Sequence, residues 1–224
     1  MPQGRLSTMV NLGALLTVMA CSSEKDWMYE QYFQLARDSA KASFGRQSIA
    51  RAQAQAIPYA SLGYRVDGGG QNLLVLASDS NGELLWTSKT RVVISTRDGR
   101  ITRTLGLPRD IVAVTARNPR SLPPPSQAMA GRMTSERLAD FPDISAYSVP
   151  ITCTTISVGP QTITILGNAT QLTRVDESCR CARMRWSFTD SFWIAPDSGL
   201  VWRSRQHIHP KGETIEIELL RPPG

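Results

Sequence analysis

Two dipeptides, Asn81-Gly82 and Asp98-Gly99, each stand between short apolar or β-branched runs. A two-residue hairpin turn needs positive φ at both central positions, which Asn, Asp and Gly tolerate best. Its twist also matches that of paired antiparallel strands. These two turns commit the chain from about Pro58 onward to antiparallel β structure. Residues 72–78, 84–87, 91–96 and 100–105 are predicted to form a meander around them. A second β half follows at 151–157, 161–166, 169–175, 183–188, 191–195, 201–209 and 213–219. Its turns are expected at Gly159-Pro160, Gly167-Asn168, Asp197-Ser198-Gly199 and Pro210-Lys211-Gly212. Residues 117–148, with Asn118-Pro119 and Pro123-Pro124-Pro125, read as a long irregular surface connection between the halves. Short strands with regular turn punctuation give a mainly β fold, an antiparallel sandwich or partly open barrel. There is no βαβ alternation, no Gly-rich phosphate loop and no repeat period.

The N-terminal side of this body differs. Residues 24–56 carry apolar side chains near helical spacing, including Trp27, Leu35 and Ala36. Gly45 is expected to interrupt this segment, and 48–56 to form a second short helix ended by Pro58.

Before Glu24 the only charged side chain is Arg5, and Met9 to Ala20 is almost wholly apolar or small. A bilayer-spanning helix needs about 20 apolar residues. A signal-peptide core needs roughly 7–15, with a basic start and a small residue at the cleavage point. Val18-Met19-Ala20-Cys21 then resembles the bacterial lipobox, in which the cysteine becomes the new N-terminus and carries lipid. The expectation is a signal peptide over 1–20 and a single mostly β domain over 21–224, anchored through a Cys21 bearing palmitate-type acyl chains. Ser22 resembles the sorting rule for the outer membrane, which places the protein on its periplasmic face. Multiple acyl chains anchor stably, so no membrane-spanning segment is required.

The chain has 25 basic and 19 acidic side chains, a net charge of +6. Losing Arg5 with the signal leaves 24 against 19, or +5. Export argues against nucleic acid as a partner and for an anionic glycan, lipopolysaccharide or the membrane surface. An ordinary solubility charge accounts for the same excess. Three cysteines remain in an oxidising compartment: Cys153, Cys179 and Cys181. Cys153 bridged to Cys179 or to Cys181 are the alternatives, with one thiol left over. Cys179 and Cys181 with Cys153 could bind metal, but no matching Cys-x-x-Cys or nearby His completes such a site, His207 and His209 have no evident third ligand, and no cofactor motif is present.

The last hairpin carries the densest pattern. In an extended strand Arg203, Arg205, His207 and His209 share one face, opposite Trp202, Ser204, Gln206 and Ile208. A four-residue loop from His209 to Gly212 would set Arg205 against Glu216 and Arg203 against Glu218. That neutralises the cationic row, a structural explanation preferred over an anion-binding strip. It also classes the histidines as surface residues. Candidate glycan or anion contacts are Arg203, Arg205, His207, Trp193 and Trp202. Asp140, Asp143, Asp190 and Asp197 are the carboxylates a glycan hydrolase would need, since such enzymes use two carboxyl groups about 5–9.5 Å apart. Nothing in the sequence pairs them, so no catalytic residue is assigned.

A family resemblance rests on ordered stretches. They are Pro58-Tyr59-Ala60-Ser61-Leu62, Leu74-Val75-Leu76, Trp86, Gly99-Arg100-Ile101 and Arg103-Thr104-Leu105-Gly106-Leu107. Phe192-Trp193, Asp197, Gly199-Leu200-Val201-Trp202, Ser204, Gln206 and Pro210 follow, ending near Arg221-Pro222. Together they resemble the YjbF/GfcB family of exopolysaccharide and capsule-locus lipoproteins. Met19 in the lipobox and the Leu-Arg-Pro ending depart from its pattern. The resemblance implies an outer-membrane lipoprotein encoded with polysaccharide secretion functions; with the lipobox, the leading expectation is a non-enzymatic accessory lipoprotein for exopolysaccharide or capsule assembly or secretion, with polysaccharide or secretion proteins as partners. It supplies no catalytic residue. The other readings are a polysaccharide-modifying hydrolase and a structural envelope protein without ligand.

Overall fold

A computed structural model describes residues 47–118 and 120–224. Cys21, the signal segment and the first helical stretch lie outside them. Within them the expected second helix is the short α1 (Arg51–Gln55).

Twelve strands follow. The first five are β1 (Ser61–Val66), β2 (Asn72–Ser80), β3 (Glu83–Thr87), β4 (Val93–Arg97) and β5 (Arg100–Leu105). Next come β6 (Ala113–Ala116), β7 (Met133–Phe141), β8 (Ala146–Ile165) and β9 (Asn168–Cys181). The last three are β10 (Trp186–Ile194), β11 (Val201–His207) and β12 (Thr214–Arg221). All pairings are antiparallel, and the order is β5-β4-β3-β2-β1-β12-β11-β10-β9-β8-β7-β6. The meander is thus closed at β1–β12 and left with β5 and β6 as its ends. Those ends approach each other: Thr104 N–H donates to Ile111 O at 2.8 Å, and Arg103 Nε donates to Val112 O at 3.2 Å. The sheet is a nearly closed, barrel-like body.

The turns follow local chemistry. Asn81 and Gly82 have φ of 52° and 77°, and Asp98 and Gly99 of 51° and 76°. Both are positive-φ hairpin turns. The β8–β9 turn has positive φ at Leu166 and Gly167, one residue earlier than expected. Gly159-Pro160 is not a turn. It is a bulge inside the long β8, whose pairing with β7 ends at Met133–Thr155. A proline fits there because, among the described residues, that edge of β8 has no partner strand to receive a backbone donor.

The connection at 117–148 is not irregular either. It contains a 3₁₀ turn at Pro125–Ala130 and all of β7. The alternation of β7 is hidden because its inward set, Ser135, Arg137, Ala139 and Phe141, is half polar. Similarly, the strands expected at 183–188 and 191–195 merge into one continuous strand, β10, while Arg183 and Met184 belong to the 3₁₀ turn Ala182–Met184 before it.

The interior is apolar at its centre, where Leu74, Trp86, Ile94, Phe141, Val149 and Ile215 are buried in one cluster. A smaller cluster of Ile163, Ile165, Leu172 and Trp193 fixes the tip of the β8–β9 hairpin. Cys153 and Cys179, direct partners across β8 and β9, form the disulfide. Cys181 is free and buried.

Candidate functional site

A cavity of about 390 Å³ opens at one end of the barrel. Its floor comes from inward positions of neighbouring strands: Leu62, Leu84, Trp86, Ile217 and Leu219. Trp202 on β11 is half-buried and forms a wall. The Trp86 indole is fixed, since its Nε1 donates to the buried Thr96 Oγ1 at 2.9 Å. The rim is made of turns: Asp79 and Gly82 from β2–β3, Asp98 and Gly99 from β4–β5, and Ser198 from β10–β11. Ser126 and Pro223 complete it.

Gln206 sets the height of this rim. It is buried, and its amide bridges β11 to the β4–β5 turn. Its Nε2 donates to Gly99 O at 2.9 Å, and its Oε1 accepts from Ile101 N–H at 2.9 Å. Gly99 is required twice over. Its φ is +76°, and a Cβ there would lie 2.4 Å from the Val201 side chain.

A buried ionic network runs through the interior, apart from the residues that line the cleft. Glu177 is wholly buried and accepts from Arg100 Nη2 at 2.5 Å and Arg137 Nη1 at 2.8 Å. Arg137 Nη2 also donates to Asp190 at 3.2 Å. The other oxygen of Asp190 accepts from His207 N–H at 2.8 Å and lies 3.2 Å from His207 Nδ1. Burial works to raise the Glu177 pKa, but the two guanidiniums override it and hold the carboxyl at about 2. Burial opposes the charge on Arg137, yet Glu177 and Asp190 leave its pKa raised. The network ties β5, β7, β9, β10 and β11 together across the interior.

The sequence-predicted contacts separate. Trp202 and Arg203 line the cleft. The register sets Arg203 opposite Glu218 and Arg205 opposite Glu216, the expected pairing. Arg203 Nε donates to Glu218 at 2.9 Å, while exposed Arg205 stands 3.9 Å from Glu216. His207 is turned to Asp190. Trp193 is buried, its Nε1 donating to Gln161 at 2.6 Å and the Arg174 guanidinium lying 5.7 Å from its ring.

His209 is not a surface histidine: it is 2% exposed. Lys211 N–H donates to its Nδ1 at 3.1 Å, so Nε2 carries the proton toward Asp143, also 3.1 Å away. Burial lowers its pKa, partly countered by Asp143.

None of the four candidate hydrolase carboxylates lines the cleft. Asp140 accepts from Ser148 N–H at 2.7 Å, and Asp197 from Ser198 N–H at 2.8 Å. Asp143 meets His209 and Asp190 meets Arg137. Cys153, Glu177 and Cys179 place ligand-type atoms within 4.8 Å of one another. The two sulfurs are bonded to each other and Glu177 is held by two guanidiniums, so the donors are already spent.

Sequence reasoning placed Gln206 only on a strand face and in a family-like stretch, and missed Arg137 and Glu177 altogether. The one available signal was polar residues at inward positions of strands, and it becomes visible only once the register is known.

Among the described residues no helix is long and apolar enough to cross a membrane. The chain is 24% identical over 175 residues to the lipoprotein GfcB of Escherichia coli K12, covering 78% of this chain and 82% of that one. The crystal structure of the lipoprotein YmcC from Escherichia coli K12 superposes with a TM-score of 0.67 at 22% identity, covering 92% of this chain and 99% of that one. The family model described as Group 4 capsule polysaccharide lipoprotein gfcB, YjbF matches residues 37–220, and the chain belongs to this family.

Proposed function

We propose that this chain is a non-enzymatic accessory lipoprotein of capsule or exopolysaccharide assembly or secretion, and that it meets glycan at the cleft walled by Trp202. Cys21 would hold it to the periplasmic face of the outer membrane after removal of residues 1–20, with residues 21–224 forming one domain. The observation carrying this reading is the cleft itself, about 390 Å³ with two indoles in its lining, in a member of a capsule polysaccharide lipoprotein family. Its volume falls within the roughly 300–1,000 Å³ of small-molecule sites. The half-buried indole of Trp202 suits the C–H face of a sugar ring, with hydroxyls on the rim to fix its orientation, while the buried Trp86 closes the floor.

The test has two arms. Deleting the gene should reduce or shorten surface polysaccharide under expressing conditions. The purified protein should retain the strain's own polysaccharide, and Trp202→Ala should weaken that retention at least tenfold without changing the length of the polymer. Unaltered surface polysaccharide in the deletion strain would refute the role.

A further inference from the structure

The charged groups of the cleft go against the sign of the protein as a whole. The chain carries +6. The charged side chains lining the cleft are Asp79, Asp98 and Arg203. Arg203 is committed: it pairs with Glu218, and its Nη2 donates to Thr164 O at 2.7 Å. Asp79 gives one carboxylate oxygen to Gly82 N–H at 3.1 Å. Asp98 is exposed at the tip of its turn and, among the described residues, has no ion-pair partner. Among the described residues the cleft therefore offers a guest two carboxylates, hydroxyls and apolar or indole surface, and no uncommitted cation.

From this we infer that the cleft takes an uncharged sugar unit and rejects uronic acids and phosphorylated or sulfated sugars; the inference rests on the glycan reading above. The hydroxyls of a neutral sugar are donors, and carboxylate oxygens are strong acceptors for them. Asp79 and Asp98 are both exposed at the rim, so an acidic sugar would bring a like charge within a Debye length of two carboxylates, and the rejection is strongest at low salt. The basic excess of the protein lies elsewhere and does not select the ligand here.

The probe is the strain's own polysaccharide, partially hydrolysed and separated on an anion exchanger into neutral and acidic oligosaccharides of equal length. Each pool is titrated into the full lipidated protein in detergent, and the indole N–H resonance of Trp202, assigned with Trp202→Phe, is followed. The neutral pool is expected to shift that resonance with an affinity at least tenfold above that of the acidic pool. Asp98→Asn keeps a residue that tolerates positive φ, and should narrow the gap at least threefold by improving the acidic pool. An acidic pool that moves Trp202 as readily as the neutral one overturns the inference while leaving the glycan function standing. If neither pool moves Trp202, the inference is lost; if neither binds the protein at all, the glycan function is lost with it.

Discussion

Arg100 and Glu177, 77 residues apart in sequence, meet at 2.5 Å in the barrel interior. Arg100 sits on end strand β5, and Arg137, which grips the other oxygen of Glu177, sits on β7 beside end strand β6. One carboxylate thus ties both sides of the incompletely bonded seam. Glu177→Gln would leave the buried Arg100 guanidinium without a counter-charge and Arg137 with Asp190 alone. Removing one partner of a buried ion pair costs about 3–5 kcal/mol, and a loss of that order is expected in urea denaturation. A change below about 1 kcal/mol would show that the network is not what holds the seam.

The same carboxyl sets an acid limit. Its folded pKa is held at about 2, below the usual value of 4.5. A depressed carboxyl contributes stability that is fully present above its unfolded pKa and is lost as pH falls toward the folded one. The loss should run from about pH 4.5 to 2 and amount to roughly 3 kcal/mol. The Glu177→Gln protein should show a flatter dependence of unfolding free energy on pH across that window.

His209 acts at higher pH with the same sign. Its neutral form is favoured by burial, so its folded pKa lies below 6.5. Its contribution is present above about pH 6.5 and declines as pH falls, because the unfolded chain takes up the proton first. Thermal melts between pH 7.5 and 5 should fall for the native protein and flatten for His209→Gln. A native profile unchanged from pH 7.5 to 5 would contradict the buried neutral imidazole.

How much of this was legible in the sequence follows from the range of each interaction. The turns at Asn81-Gly82 and Asp98-Gly99 were legible because two adjacent residues decide them. The pairing of Arg203 with Glu218 was legible because alternation and one loop length fix the register. β7 was not, since its inward Ser135 and Arg137 are satisfied by Glu177, 42 and 40 residues further on. The cleft was not either: Leu62, Trp86, Trp202 and Leu219 converge only when the first and last strands pair.

The disulfide joins β8 and β9 through a 26-residue separation, between strands already paired in register. Such bridges contribute about 2–4 kcal/mol, chiefly by restricting the unfolded chain. The double substitution Cys153→Ala with Cys179→Ala should lower stability by that order while the β circular-dichroism signal stays. Cys181 is buried, so it should react with a thiol reagent only when the protein unfolds. Rapid labelling of Cys181 in the native protein would mean that the interior near β9 opens far more often than its packing implies.

Two glycines with nearly the same backbone separate strain from crowding at the cleft. Gly82 has φ of +77° and Gly99 of +76°. A Cβ on Gly82 would meet nothing nearer than an Arg97 nitrogen at 3.9 Å, whereas one on Gly99 would lie 2.4 Å from Val201. Gly82→Ala should therefore cost only the left-handed backbone penalty, about 1–2 kcal/mol. Gly99→Ala adds a clash that the turn relieves by lifting away from β11, breaking the bonds of Gln206 to Gly99 O and Ile101 N–H. Each buried polar group left unpaired adds about 1–3 kcal/mol, so Gly99→Ala should cost at least twice as much as Gly82→Ala. It should also shift the indole resonances of Trp86 and Trp202, which Gly82→Ala leaves in place. Equal losses for the two variants, with both indoles unmoved, would mean that the β4–β5 turn does not shape the cleft.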